Sequence, residues 1–241
     1  MKKISKKILN VILPASCISC HKVILDDKTG VCAECWKELD FITKPMCDNC
    51  GFPFDFSMEE GTLCAECLTE ESKFSKMRCV FKYNDKSKKM ILALKYGDRT
   101  DTVGVLSDFM IKAGADFIDD IDIVMPVPLH RCRLFRRKYN QSALLAKAIS
   151  NKTGAEFAAD GLVRVKHTKP QGHFTRSVRK NNLKGAFKHN EKHSFKGKRV
   201  LLVDDVITTG ATVNNCVKVL KKKHKDCDVY VLGLARVLLT S

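Results

Sequence analysis

The chain has 241 residues, enough for one large α/β domain or for an ordinary domain with a small accessory module. Hydrophobic residues make up 44% and charged residues 29%, no apolar run approaches a membrane span and no tract is of low complexity, which excludes the disordered, collagen-like and membrane-inserted classes. The formal charge of +16 points to anionic partners if the excess is localised, and it is: residues 131–199 carry 19 basic and three acidic side chains, whereas residues 1–79 carry 11 and 12. A phosphate- or nucleic-acid-binding face is the sharper reading of that segment, and a solubilising surface the plainer one.

At the N-terminus Met1-Lys2-Lys3-Ile4-Ser5-Lys6-Lys7 precedes the apolar stretch Ile8–Leu13, which is six residues long and holds Asn10. That is short of the roughly 7–15 apolar residues of a secretory signal, so residues 1–14 are expected to form a short amphipathic helix. The expected setting is the reducing cytoplasm, where cysteines are metal ligands more often than disulfides.

Residues 15–70 hold four C-x-x-C pairs, Cys17/Cys20, Cys32/Cys35, Cys47/Cys50 and Cys64/Cys67. Each pair can form a tight knuckle with two sulfurs on one metal, and two knuckles complete the tetrahedral S₄ set that suits Zn²⁺. Iron–sulfur ligation and a thioredoxin-like redox motif do not predict the fourfold repetition. Sequential pairing, Cys17/20 with Cys32/35 and Cys47/50 with Cys64/67, closes shorter loops than an interleaved arrangement and is preferred. Four thiolates leave no open coordination position, so both zinc sites are expected to be structural. A segment this poor in apolar residues would scarcely fold without them. Two such sites would also lower the net charge to about +12. Gly51 suits a turn of positive φ, and Trp36, Phe52 and Phe54 are candidates to pack the ribbons. His21 is surplus to a four-thiolate set, and Cys79, Cys132, Cys216 and Cys227 read as plain small residues.

From Cys79 to Ser241 the pattern changes to alternating strands and helices. Cys79–Tyr83 alternates as a strand, and Lys86–Tyr96 sets Met90, Ile91 and Leu94 on one helical face, with Gly97 as its C-cap. Residues 102–114 repeat the helical period, Asp122–Pro128 reads as a buried strand ending at prolines, and Ser142–Lys152 as the next helix. This βαβ order implies a parallel sheet flanked by helices. Near the C-terminus, four apolar residues, Val200–Val203, form a central strand that ends in Asp204-Asp205. The turn Thr208-Thr209-Gly210-Ala211-Thr212 then leads into a helix over 211–223. Ligands bind at that end of a strand in an open α/β sheet. Backbone amides and hydroxyls at a helix N-terminus make a cradle for a phosphate monoester. The two carboxylates are placed to accept hydrogen bonds from adjacent sugar hydroxyls, directly or through Mg²⁺. A helix cap with merely solvated acids is the bland alternative.

This segment resembles the phosphoribosyl-pyrophosphate (PRPP) loop of type I phosphoribosyltransferases. The resemblance implies that Asp204 and Asp205 hold the ribose hydroxyls and Thr208, Thr209, Gly210, Ala211 and Thr212 the 5′-phosphate. With Pro126–His130, Arg136–Gln141, Pro170-Gln171, Arg179–Asn182 and Gly185–Phe187, the whole chain resembles the ComF family. Its members join an N-terminal zinc ribbon to a phosphoribosyltransferase-like domain, and several are associated with DNA uptake in natural transformation. The resemblance further implies a pyrophosphate loop at Leu129, His130, Arg131 and Arg133. It also implies a flexible loop over 166–184, with Gln171, Arg176 and Arg179, that closes on the substrate. One departure is visible: Lys138-Tyr139 stand where the family pattern has Gly-Phe before Asn-Gln.

Two functions follow as expectations. The first is an enzyme, Mg²⁺-dependent transfer of phosphoribosyl from PRPP to an unidentified acceptor. The second is a non-catalytic protein that binds single-stranded DNA, or DNA-uptake proteins, and keeps the fold as a scaffold or PRPP sensor. Phe135, Tyr139, Phe174 and Phe187 are the aromatics available for base stacking.

Overall fold

The computed structural model describes residues 15–24, 30–70, 72–96, 100–166 and 185–238. The helix expected over residues 1–14, the C-cap at Gly97 and the loop residues Gln171, Phe174, Arg176 and Arg179 lie outside them.

The cysteine-rich part is built from knuckles and single helical turns. The short helix α1 (Ala33–Lys37) starts at Cys32, whose sulfur accepts the amide of Cys35, and α2 (Ala65–Thr69) starts at Cys64. Gly51 has φ +62° and a Cβ there would lie 2.8 Å from the Met77 carbonyl oxygen, so both the turn and the close approach require glycine.

Five strands, β1 (Lys76–Lys82), β2 (Ile123–Pro126), β3 (Glu156–Phe157), β6 (Arg199–Ile207) and β7 (Asp228–Arg236), form one sheet in the order β1-β7-β6-β2-β3. Every neighbouring pair is parallel. One face is covered by α3 (Asp85–Tyr96), α4 (Val103–Ala113) and α6 (Gln141–Thr153), which follows the short α5 (Arg131–Arg137). There Met90, Ile91 and Leu94, then Leu106, Phe109 and Met110, then Leu145, Ala146 and Ile149 are buried in one cluster. The opposite face takes α7 (Ala211–Lys223), whose Val213, Cys216, Val217 and Leu220 recur at the helical period and are buried. At about 1.5–3 kcal/mol per large apolar side chain buried, that stripe fixes where the helix begins, and hence where the loop before it stands.

The two ribbons straddle the free edge of the sheet. Cys17, Val31 and Leu39 of the first pack into the α3/α4 face, whereas Cys47, Cys50, Phe52 and Phe54 of the second pack into the α7 face. Between them, residues 40–42 run antiparallel along the outer edge of β1, with Ile42 N–H donating to the Val80 carbonyl (2.8 Å) and Lys82 N–H to that of Asp40 (2.8 Å). Trp36 rests on Phe41 and Phe109, with ring centroids at 4.9 and 5.9 Å. Two buried arginines pin the second ribbon. Arg236, at the end of β7, donates to the Cys50 carbonyl and sulfur and lies over the Phe52 ring, while Arg78 donates to the Asn49 carbonyl (3.5 Å) of the ribbon and to Asp116 (2.6 Å) of the larger unit.

Two features stand outside the sequence expectations. The strands β4 (Leu162–Arg164) and β5 (Phe187–His189) form a separate antiparallel pair. The segment after β2 is helical from Arg131 onward, with His130 as its N-cap accepting the Cys132 amide at 3.3 Å, so only Leu129 and His130 are loop.

Candidate functional site

The strand order locates a crevice. From β2 the chain runs through α5 and α6 to β3 on one side, and from β6 it runs through α7 to β7 on the other. The two connections diverge from adjacent parallel strands, so a cleft opens at the C-terminal ends of β2 and β6, the position where open α/β sheets bind ligands.

The structure brings Asp204 and Asp205 to that cleft, at the end of β6. Asp204 Oδ1 accepts the Ser142 hydroxyl (3.1 Å) and the Asp205 amide (2.9 Å). Ser142 is itself held by the cap of α6: Asn140 accepts the Ser142 amide at 3.1 Å and donates to the Val127 carbonyl at 3.0 Å, which ties the helix start to the end of β2. Burial first, and then the charge of Asp205, push the Asp204 carboxyl up to about 7. Asp205 Oδ2 is 3.1 Å from Lys95 Nζ, and these side chains are 13% and 16% exposed. Neither Ser142 nor Lys95 was assigned a role from sequence: they lie 62 and 110 residues from their acids, and no local pattern marks such pairs.

Beyond the acids, Thr208, Thr209 and Gly210 make the turn into α7. Gly210 has φ +67° and is the N-cap, and no side chain caps the helix. The first-turn amides of a 13-residue helix, with its positive dipole end, therefore face the turn. Ala211 and Thr212 form the first turn itself. Between this turn and the second ribbon lies a cavity of about 290 Å³, lined among others by Phe52, Phe74, Ile207, Asn214 and Arg236.

On the β2 side of the cleft, Leu129 and His130 are partly buried, Arg131 is exposed and Arg133 partly buried on α5. Lys138, which ends α5, has φ +65°. A glycine adopts such a conformation freely, which agrees with the Gly that the resemblance implies at this position. Phe135 is 91% exposed. The two other stacking candidates among the described residues do not share that exposure: Phe187 is buried under the Arg164 guanidinium, and Tyr139 is partly buried with its hydroxyl donated to the Leu94 carbonyl at 2.8 Å.

The eight cysteines gather as Cys17, Cys20, Cys32 and Cys35 and as Cys47, Cys50, Cys64 and Cys67, with the sulfurs of each set within 4.8 Å of one another. This is the sequential arrangement. Sulfur–sulfur distances of 3.7 Å (Cys20–Cys32) and 3.6 Å (Cys50–Cys64) match the edge of about 3.8 Å that a tetrahedron with 2.3 Å Zn–S bonds requires. Amides also point at the sulfurs, as from Cys32 and Cys64 to Cys17 and Cys47 at 3.4 and 3.3 Å. The donor sets fit structural Zn²⁺ and are closed. His21 belongs to neither cluster.

Family models match residues 8–68 as a double zinc ribbon domain and residues 140–230 as a phosphoribosyl transferase domain. By class, the chain is a phosphoribosyltransferase-fold protein carrying a double zinc ribbon. Competence protein F of Haemophilus influenzae is 32% identical over 91% of this chain and 96% of its own length. DNA utilization protein YhgH of Escherichia coli is 27% identical over 94% and 99%, and competence protein ComFC of Bacillus subtilis 26% over 88% and 87%. The chain belongs to the ComF family. Among solved structures, an adenine phosphoribosyltransferase is 12% identical, with a TM-score of 0.37 over 61% of this chain and 76% of that one. Among the described residues, no helix is long and apolar enough to cross a membrane.

Proposed function

We propose that the cleft binds PRPP and supports displacement of its pyrophosphate by an acceptor. The observation that carries this reading is the juxtaposition, at one switch point, of the Asp204/Asp205 pair with the uncapped, glycine-started N-terminus of α7. Hydroxyls of a ribose suit the carboxylates, and a 5′-phosphate suits the amides and hydroxyls of Thr208–Thr212. Leu129, His130, Arg131 and Arg133 take the pyrophosphate, and Gln171, Arg176 and Arg179 belong to the loop that covers it. Bound Mg²⁺, held by Asp204 and Asp205 directly or through the ribose hydroxyls, supplies charge neutralisation. In the reaction, the acceptor's electron pair forms a bond to the anomeric carbon as the bond from that carbon to the pyrophosphate oxygen breaks, and pyrophosphate leaves with the electron pair of the broken bond. The cationic side chains offset its developing charge. An in-line displacement needs the acceptor opposite the leaving group.

A second reading, contact with single-stranded DNA, is favoured by α5. Its exposed Phe135 sits in a run with Arg131, Arg133, Arg136, Arg137 and Lys138, a pairing of aromatic surface and positive charge that suits stacked bases and a phosphate backbone. The names of the relatives, competence and DNA utilization proteins, agree with a role in handling incoming DNA, and the cytoplasm is the proposed setting.

Calorimetric titration of the zinc-replete protein with Mg·PRPP tests the first reading. Saturable binding is expected, lost in the double variant Asp204→Ala, Asp205→Ala at an unchanged circular dichroism spectrum. Affinity retained by that variant overturns the site assignment. In the same preparations, oligothymidylate binding that falls steeply with salt supports the second reading, and salt-insensitive binding counts against it.

A further inference from the structure

The α3/β6 seam carries an ion pair that the reading above does not use. Lys95 stands in the last turn of α3, and its ammonium meets Asp205 at 3.1 Å in a setting where both side chains are largely screened from water. We propose that Lys95 is a displaceable counter-ion of Asp205, released to the pyrophosphate when ribose hydroxyls engage that carboxylate, and that it thereby makes the site select a pyrophosphorylated ribose over a ribose monophosphate. The proposal rests on the PRPP reading.

The reasoning is one of charge accounting in a desolvated seam. A carboxylate that turns to sugar hydroxyls or a hydrated cation weakens its hold on the ammonium, and an unpartnered cation in a water-poor site is costly. Ribose 5-phosphate brings its anion to the start of α7, at the end of β6, and offers Lys95 no replacement. PRPP brings a second anionic group at the anomeric position. The position of Lys95 fits this exchange. The Tyr139 hydroxyl donates to the carbonyl of Leu94, the residue before Lys95, and so stitches the end of α3 to the segment after α5. The backbone just before Lys95 thus meets the β2–α6 connection, whose Leu129–Arg133 stretch the reading above assigns to the pyrophosphate.

Titrations of the wild type, Lys95→Gln and Lys95→Arg with Mg·PRPP and with ribose 5-phosphate test this, each variant being checked for zinc content and thermal melting. In Lys95→Gln, PRPP affinity is expected to fall about tenfold or more while ribose 5-phosphate affinity holds or improves, and Lys95→Arg is expected to restore most of the preference. A parallel loss for both ligands, or no loss for either, overturns the proposal and leaves a merely structural pair. A wild type that binds neither ligand instead removes the PRPP reading on which it rests. Should Lys95→Gln fail to fold, Asp205→Asn gives the complementary measurement. It already frees the ammonium, so inorganic pyrophosphate should bind several-fold tighter than in the wild type, and should lose that gain when Lys95→Met is added as a second change. An Asp205→Asn protein with unchanged pyrophosphate affinity counts against the exchange.

Discussion

Asp204 shows how a single carboxyl carries both the site and a penalty. Its pKa in the folded protein, about 7, lies above the value of roughly 3.9 of an unfolded chain. Between those values the native state holds a proton that the unfolded state has lost, so stability from this group is present at low pH, declines as pH rises toward 7 and is flat above it. Asp204→Asn keeps an oxygen acceptor for Ser142 and removes the charge. Its melting temperature in the absence of ligand and magnesium is expected to exceed the wild type by at least a few degrees at pH 8, with the gap closing near pH 4. A gap that does not change with pH would show that the buried charge is not its source. The destabilising acid is retained where a ligand would use it, an arrangement common at binding sites.

At the scale of elements, the junction of α5 and α6 carries a backbone cost. Lys138 adopts φ +65° with ψ −30°, a conformation that crowds the Cβ of an L-residue. Lys138→Gly is expected to stabilise the protein by about 1 kcal/mol, read as a rise of a few degrees in melting temperature, and a fall would show that contacts of the lysine outweigh the strain. This junction also marks the limit of what sequence discloses. Signals whose parts are close in the chain were legible: the C-x-x-C pairs, because two residues of spacing set a knuckle, and Asp204–Thr212, because a strand, a glycine turn and a helix start are consecutive. Helices α3, α4, α6 and α7 were legible from their buried period. The helix α5 was not, since seven residues with four arginines and an exposed Phe135 carry no apolar stripe, and neither was the three-residue pair β4/β5. Ser142 and Lys95 reach the acids only through strand order and helix capping, which no spacing in the sequence encodes.

For the molecule as a whole, the two ribbons act as a clasp on the sheet, and cysteines of both metal sites are part of its core. Cys17 and Cys35 belong to one buried cluster and Cys47 and Cys50 to the other, so loss of a bound zinc is expected to loosen a face of the larger unit as well as a knuckle. Metal analysis of the purified protein is expected to give two zinc ions per chain. Their removal by chelation should lower the thermal transition of the entire protein, with no separate unfolding step of the ribbons. A ratio near one, or a domain transition indifferent to chelator, would contradict the clasp.

The pairing of β1 with β7 sets a timetable for synthesis. Each cysteine cluster closes within about 20 residues and can take its metal as it emerges, and β1 then finds residues 40–42 already beside its outer edge. Its inner edge must wait for β7, about 145 residues later, which at the usual pace of the ribosome is roughly 7–30 s. Throughout that interval the nascent chain carries a half-satisfied strand whose other side is guarded by the clasp, so the yield of folded chain is expected to fall more when zinc is withheld during translation than when it is withheld and restored afterwards, a comparison that cell-free synthesis can make.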